Sequence, residues 1–221
     1  MADCKTDFLF RLLVLLLALC ASGAAGAAAG APTILVVGDS LSAEYGLQRG
    51  AGWVALMEQR LKKQQLDYNV VNASISGDTS AGGAARIVQA LAQAKPAVVI
   101  IELGGNDGLR GLDVAAMRAN FETMITQSQK AGAKVLLAGM QMPPNYGRDY
   151  TAKFRAVYAE LAQKYKTALG PFILEGVGEN PELFQADGIH PLPHIHPRIL
   201  DNVWPALEPL LKSRPAARTK G

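Results

Sequence analysis

Short and almost entirely apolar segments alternate with longer amphipathic segments along most of this 221-residue chain. An apolar segment without polar alternation is typical of a strand that is buried on both faces. Such strands form parallel sheets, because the connecting helices cover both faces. The alternation therefore predicts a three-layer α/β/α fold. The candidate strands are residues 33–37, 68–72, 97–103, 134–139 and 172–174. The candidate helices are residues 52–64, 80–94, 113–131, 150–168 and 195–212.

The N-terminal segment has the pattern of a secretory signal peptide, and we assign residues 1–30 to it. Lys5 and Arg11 mark a charged region, residues 12–19 are continuously apolar, and an Ala/Gly/Ser-rich stretch with small-residue cleavage sites follows. A membrane-spanning helix is the alternative, but the apolar run is well short of the ~20 residues that a span needs. The chain is therefore expected to be exported, either to a periplasm or out of the cell.

Both cysteines, Cys4 and Cys20, lie inside this signal peptide. The mature protein would therefore have no disulfide, no cysteine metal ligand and no cysteine nucleophile. Cys20 also suggests a lipoprotein signal, although the bulky Leu19 stands before it, where such signals carry a small residue. Lipidation at Cys20 stays open as the alternative to simple cleavage.

The formal net charge of +3 comes from the C-terminal end of the chain. Residues 212–221 carry four basic side chains and no acid, and without them the net charge is slightly negative. We predict that residues 31–211 form a single domain and that residues 212–221 are a basic, disordered tail. We expect no nucleic-acid partner, at most weak contact with an anionic membrane surface, and a monomer.

A Gly-Asp-Ser-Leu sequence at residues 38–41 follows the apolar segment at residues 34–37. A strand that ends in this way presents Ser40 at the carboxyl edge of the sheet, where α/β folds place their chemistry. A serine hydroxyl becomes nucleophilic only beside a base, usually a histidine that a carboxylate orients. Ser40 is therefore a candidate nucleophile, and a helix cap is its alternative role.

The candidate base lies in a C-terminal segment that contains all three histidines of the chain, His190, His194 and His196. Asp187 precedes His190 by three residues, so one turn can bring the carboxylate and the imidazole together. A metal site formed by the three histidines is the alternative, but the interspersed prolines oppose a helix that would present them together. We predict that Asp187 and His190 pair and that His194 and His196 are surface loop residues.

Two further segments could supply hydrogen-bond donors to an oxyanion. Gly77 has a backbone N–H that no side chain obstructs, and Asn106 follows the apolar strand at residues 97–103. Asn106 could instead cap the turn after that strand. The Gly-x-Ser-x-Gly sequence of α/β-hydrolases and the phosphate-binding loop of nucleotide-binding proteins are both missing from the sequence.

Four segments of the chain, taken in order, resemble the four blocks of the SGNH (GDSL) hydrolases. They are the Gly-Asp-Ser-Leu sequence, Gly77, the Gly-Gly-Asn-Asp sequence at residues 104–107 and the Asp-x-x-His sequence at residues 187–190. The matches at residues 77–80 and 142–147 are similar to one branch of that family, the periplasmic arylesterase, thioesterase and lysophospholipase enzymes of Gram-negative bacteria.

The resemblance implies a flavodoxin-like sheet of five strands in the order 2-1-3-4-5. It also implies an acyl-enzyme on Ser40, with His190 as base, Asp187 as its orienting partner, and an oxyanion hole formed by Ser40, Gly77 and Asn106. No cofactor and no metal are expected. The residues that the resemblance places along an acyl groove are Gly108, Leu109, Met142, Pro143 and Tyr146.

The substrate expected from this resemblance is a small aryl or fatty-acyl ester, a thioester or a lysophospholipid. The methionines and prolines near residues 140–146 favour an apolar acyl group over a sugar acetate. A carbohydrate-ester deacetylase has the same four blocks and remains an alternative. A non-catalytic binding module on the same fold is the second alternative.

Overall fold

The computed structural model describes residues 30–211. The predicted signal peptide, apart from Gly30, and the predicted tail at residues 212–221 lie outside the described residues, as do both cysteines. The predictions made for these segments therefore stay predictions.

Five parallel strands form one sheet in the order β2-β1-β3-β4-β5. They are β1 (Thr33–Gly38), β2 (Asn69–Asn72), β3 (Val98–Glu102), β4 (Lys134–Gly139) and β5 (Ala168–Phe172). The central strands β1, β3 and β4 are buried over nearly their whole length. This burial on both faces explains their continuous apolar sequences. The parallel five-stranded sheet and its flanking helices confirm the predicted α/β class and strand order.

Helices flank the sheet in two groups. Within residues 30–211 they are α1 (Trp53–Lys63), α2 (Ser80–Ala94), α3 (Gly105–Leu109), α4 (Val114–Lys130), α5 (Arg148–Tyr165) and α6 (His196–Leu207). Helix α4 packs between α2 and α5, while α1 packs against α6. No helix in the described part of the chain is both long enough and apolar enough to cross a membrane.

Local sequence explains where several of these helices begin. Asp113 accepts hydrogen bonds from the backbone N–H groups of Ala115 and Ala116, which starts α4. Thr79 accepts a bond from Gly82 at the start of α2 in the same way. Helix α1 has Gly52 before it and no side-chain cap of its own, so its first N–H must find a partner elsewhere in the fold.

The last strand differs from the prediction. The sequence suggested a strand at residues 172–174, whereas β5 spans Ala168–Phe172 and α5 ends before it at Tyr165. Gly170 and Pro171 disfavour a strand in general, but β5 pairs only with β4 and its pairing is irregular, so the edge of the sheet tolerates them. The short helix α3 was not predicted either, because its sequence is rich in glycine.

Candidate active site

The loops after β1, β2, β3 and β5 meet at the carboxyl edge of the sheet. The chain leaves β1 in one direction to form β2 and returns on the other side of β1 to form β3, so the strand order reverses between β1 and β3. Ser40 follows β1 and Asn106 follows β3, which places both at this reversal. Ligands of open α/β sheets commonly bind at such a point.

The structure places Ser40, His190 and Asp187 in one hydrogen-bonded row. The Oγ atom of Ser40 lies 2.8 Å from Nε2 of His190, and Nδ1 of His190 lies 2.7 Å from Oδ2 of Asp187. The three predicted residues therefore have the spacing that a nucleophile, a base and an orienting carboxylate need.

Asp187 is held in its ionised form by the loop that carries it. Its Oδ1 atom accepts the backbone N–H groups of Ile189 at 2.9 Å and His190 at 3.0 Å. The bond from the His190 N–H is the largest cause that lowers the pKa of Asp187 to about 2. Because an ionised carboxylate only accepts hydrogen bonds, Nδ1 of His190 carries the proton and Nε2 is free to accept one from Ser40.

The three candidate oxyanion donors are in two different states. Among residues 30–211, the backbone N–H groups of Ser40 and Gly77 make no hydrogen bond, and both residues line the same cavity. Gly77 has a φ of +77°, which a glycine adopts without strain. The amide of Asn106 also faces this cavity, but it already donates to Asp39 at 3.1 Å and to the carbonyl of Asp78 at 2.9 Å.

Two buried acids lie below the nucleophile. Burial raises the pKa of Asp39 to about 6 and raises that of the fully buried Glu102 well above its usual value. Glu102 Oε2 accepts a bond from the Ser42 hydroxyl at 2.6 Å, and Trp53 Nε1 donates to the same hydroxyl at 3.2 Å. The other Glu102 oxygen has no partner among the described residues. This network fixes the turn that carries Ser40.

A cavity of about 490 Å³ opens beside Ser40 and His190 and is lined mostly by apolar side chains. Three of the predicted groove residues, Leu109, Met142 and Pro143, lie in its lining. The structure does not place Gly108 or Tyr146 there. A Cβ atom at Gly108 would overlap the Met142 side chain, and the Tyr146 hydroxyl donates to the Leu109 carbonyl at 3.3 Å, so each residue contacts a residue of the lining without lining the cavity itself.

The GDSL-like Lipase/Acylhydrolase family matches residues 36–197, a span that contains the serine, the oxyanion candidates and the Asp187–His190 pair. The chain belongs to this family. Esterase TesA of Pseudomonas aeruginosa is 57% identical to this GDSL hydrolase over 183 residues, 83% of this chain and 91% of that protein. Thioesterase 1/protease 1/lysophospholipase L1 of Escherichia coli K12 is 43% identical over 184 residues, 83% of this chain and 87% of that protein.

Solved structures agree with this assignment. The crystal structure of TesA has a TM-score of 0.79 at 57% identity and covers 81% of this chain and 99% of its own. Psychrotrophic esterase EstA from Pseudoalteromonas sp., in a structure inhibited by monoethylphosphonate, has a TM-score of 0.76 at 38% identity, covering 80% of this chain and 97% of its own. The predicted SGNH family, its branch and its serine hydrolase class are thereby confirmed.

One histidine of this GDSL hydrolase lies elsewhere than the sequence suggested. His196 was expected at the surface, but it is buried, and its Nδ1 atom accepts the backbone N–H of Trp53 at 3.1 Å. It supplies the partner that the first turn of α1 lacks. His194 is exposed, as expected. Within residues 30–211, no group of three or more His, Cys, Asp or Glu side chains is arranged to hold a metal ion.

Several residues of the site in this GDSL hydrolase were missed in the sequence. The ring of Tyr45 packs on the ring of His190 with 4.3 Å between centroids. Phe172, Phe184 and Ile189 contribute apolar lining to the cavity. Ile189 could have been found, because it lies inside the Asp-x-x-His sequence. The two phenylalanines carry no motif that marks them.

Proposed function

We propose that this protein hydrolyses carboxylic esters with aryl or fatty-acyl groups through an acyl-enzyme on Ser40. One observation carries the proposal: the Ser40 Oγ atom lies 2.8 Å from His190 Nε2 at the wall of a mostly apolar cavity. A nucleophile, a base and space for an acyl group are thus next to one another.

In the first half of the reaction, Ser40 Oγ attacks the carbonyl carbon of the ester while His190 Nε2 takes the hydroxyl proton. The ionised Asp187 stabilises the imidazolium that forms and keeps the ring in its orientation. His190 then returns the proton to the leaving alcohol or thiol as the carbon–oxygen or carbon–sulfur bond breaks. The acyl group remains on Ser40.

The tetrahedral intermediate carries a negative charge on the former carbonyl oxygen. The unused N–H groups of Ser40 and Gly77 are the donors that stabilise this charge, and the amide of Asn106 is the third candidate. In the second half, His190 activates a water molecule that attacks the acyl-enzyme, and Ser40 leaves with the proton. Every step uses groups of the protein itself, so the reaction needs no cofactor and no metal.

The substrate class follows from the cavity wall. Leu109, Met140, Met142, Phe172 and Ile189 offer an apolar surface to an acyl chain, and methionine adapts its shape to different chains. This lining favours aryl and fatty-acyl esters over the polar sugar of a carbohydrate ester. Thioesters and lysophospholipids carry the same acyl groups, and we extend the proposal to both as substrates of the same site.

The proposed location is the periplasm, after removal of the signal peptide at residues 1–30. The charged start, the apolar run and the small-residue stretch support export. We propose that the mature domain at residues 31–211 acts there as a monomer on small acyl substrates.

The test is active-site labelling with a fluorophosphonate together with a series of p-nitrophenyl esters of increasing acyl length. The wild type should be labelled once, at Ser40, and Ser40→Ala should lose both labelling and turnover while remaining folded. Ser76→Ala is the matched control, because Ser76 lines the same cavity but makes no bond to His190. Turnover that survives in Ser40→Ala, or a label on another serine, would contradict the proposal.

A further inference from the structure

The bond between Ser40 and His190 joins two segments that are 150 residues apart in the sequence. One is the turn at residues 40–46, called here the nucleophile turn. The other is the loop at residues 183–192, called here the base loop. Apart from Leu183, which ends the short 3-10 helix Pro181–Leu183, neither segment is part of a helix or of a strand of the sheet, so the sheet alone does not fix the distance between them.

The base loop is closed by its own hydrogen bonds. Phe184 and Pro191 form an antiparallel bridge, the Leu192 N–H donates to the Leu183 carbonyl at 2.9 Å, and the Gln185 N–H donates to the His190 carbonyl at 2.7 Å. Together with the bonds inside the Asp187–His190 pair, these contacts make the base loop one preformed unit. What remains to be fixed is the position of this unit relative to Ser40.

The side chain of Gln185 spans the two segments. Its Nε2 atom donates to the Tyr45 carbonyl in the nucleophile turn at 3.1 Å and to the Pro191 carbonyl in the base loop at 3.3 Å. The Tyr45 N–H in turn donates to the Ser40 carbonyl at 3.3 Å. A continuous path of hydrogen bonds thus runs from Ser40 through Tyr45 and Gln185 to the loop that carries His190.

Gly46 makes room for this contact. Its φ is +69°, and a Cβ atom at this position would overlap Oε1 of Gln185. The backbone conformation favours glycine at this position, and the missing side chain leaves room for the Gln185 amide. The Tyr45 ring, packed on the His190 ring, adds a second contact between the same two segments.

We propose that Gln185 is a positioning residue that sets the distance between Ser40 and His190 by fastening the base loop to the nucleophile turn. The proposal rests on the proposed ester hydrolysis at Ser40. Proton transfer depends steeply on the separation of the two atoms, and a displacement of about 1 Å can lower the rate of an enzyme about 100-fold. Gln185 acts through His190 and touches no substrate in this mechanism.

The experiment compares Gln185→Met, which keeps the length of the side chain, and Gln185→Ala with the wild type. Both changes remove the donor. Gln129→Met is the matched control, because Gln129 also donates its side-chain amide to a backbone carbonyl, that of Tyr165 at 2.8 Å, but lies on α4 away from the cavity. We measure kcat and KM for a p-nitrophenyl ester, the pH dependence of kcat/KM, and the melting temperature.

Both Gln185 variants should lower kcat by about 10- to 100-fold with little change in KM. The midpoint of the acidic fall in kcat/KM should stay where it is in the wild type, because the Asp187–His190 pair lies within the base loop and is not disturbed. Gln129→Met should keep the kcat of the wild type.

A kcat within twofold of the wild type in both Gln185 variants would overturn the proposal, as would a loss that appears only in the melting temperature. A shifted pH midpoint would also overturn it, because Gln185 would then act on the Asp187–His190 pair rather than on its distance from Ser40. Fluorophosphonate labelling of the wild type separates this result from the proposed function. An unlabelled wild type contradicts ester hydrolysis at Ser40, whereas a labelled wild type with unimpaired variants contradicts only the role of Gln185.

Discussion

The side-chain amide of Asn106 donates a hydrogen bond to the carboxylate of the buried Asp39 at 3.1 Å. Its other bond goes to the carbonyl of Asp78 at 2.9 Å, so both of its N–H groups are engaged. An oxyanion that is to be stabilised by Asn106 must therefore share or displace one of these acceptors. Asn106 is at once part of the floor of the site and a candidate donor, and these two roles predict different effects of its removal.

Asn106→Ala should lower kcat by about 100- to 1,000-fold and leave KM nearly unchanged, because a donor aimed at the oxyanion acts mainly in the transition state. Both constants and the melting temperature are to be measured on one preparation. Asn120→Ala is the control, since it also removes a side-chain amide donor, one that bonds the Ser80 hydroxyl at 3.0 Å. It should keep the kcat of the wild type. A normal kcat with a lowered melting temperature would show that Asn106 only supports the floor.

Asp39→Asn should change how stability depends on pH. Burial raises the pKa of Asp39 from 3.8 to about 6, so the native state binds the proton more tightly than the unfolded chain. The stabilisation from protonated Asp39 is full below pH ~4 and is lost as the pH rises through 6. This loss lowers the free energy of unfolding by about 3 kcal/mol. Urea unfolding should show the variant gaining free energy of unfolding relative to the wild type between pH 4 and pH 7.5. An equal difference at both pH values would contradict this.

His196→Asn should remove a loss of stability at acidic pH. Burial lowers the pKa of His196, and the nearby Glu44 and the Pro191 carbonyl only partly oppose this. The unfolded chain therefore takes up the proton first, and the wild type loses stability as the pH falls below ~6.5. Asparagine can still accept the Trp53 N–H but does not titrate. Melting temperatures at pH 5 and pH 7.5 test this, with the exposed His194→Asn as control. The fall in melting temperature from pH 7.5 to pH 5 should be smaller in His196→Asn than in His194→Asn.

Gly178→Val should shift the preference towards short acyl groups. Gly178 lines the cavity, and a Cβ atom there would lie 3.2 Å from Cε1 of Phe172, so the added side chain narrows the cavity. The kcat/KM for p-nitrophenyl decanoate should fall by about tenfold or more relative to that for the acetate, because each lost methylene contact costs about 1–3 kcal/mol. A proportional fall for both esters would place the acyl chain elsewhere.

The sequence alone was sufficient for the fold class and for the residues of the proposed triad. Strands β1, β3 and β4 are buried on both faces, and their uninterrupted apolar segments predict this burial. Parallel strands end at a common edge, and the strand order implied by the resemblance makes the first and third strands neighbours, so Ser40 and Asn106 were expected to lie close together. Motif order and strand pattern thus pointed to the same edge.

Tertiary contacts determined the strand β5 and the partners of two polar side chains, which no local sequence pattern predicts. Strand β5 contains Gly170 and Pro171 and exists because β4 offers it an edge to pair with. His196 was expected at the surface but begins α6 and is buried, and there its ring accepts the N–H of Trp53, 143 positions earlier in the sequence. The side-chain bridge of Gln185 depends in the same way on a distant turn. Local sequence reports the periodicity of burial, whereas the partners of individual polar groups are settled only when distant segments pack together.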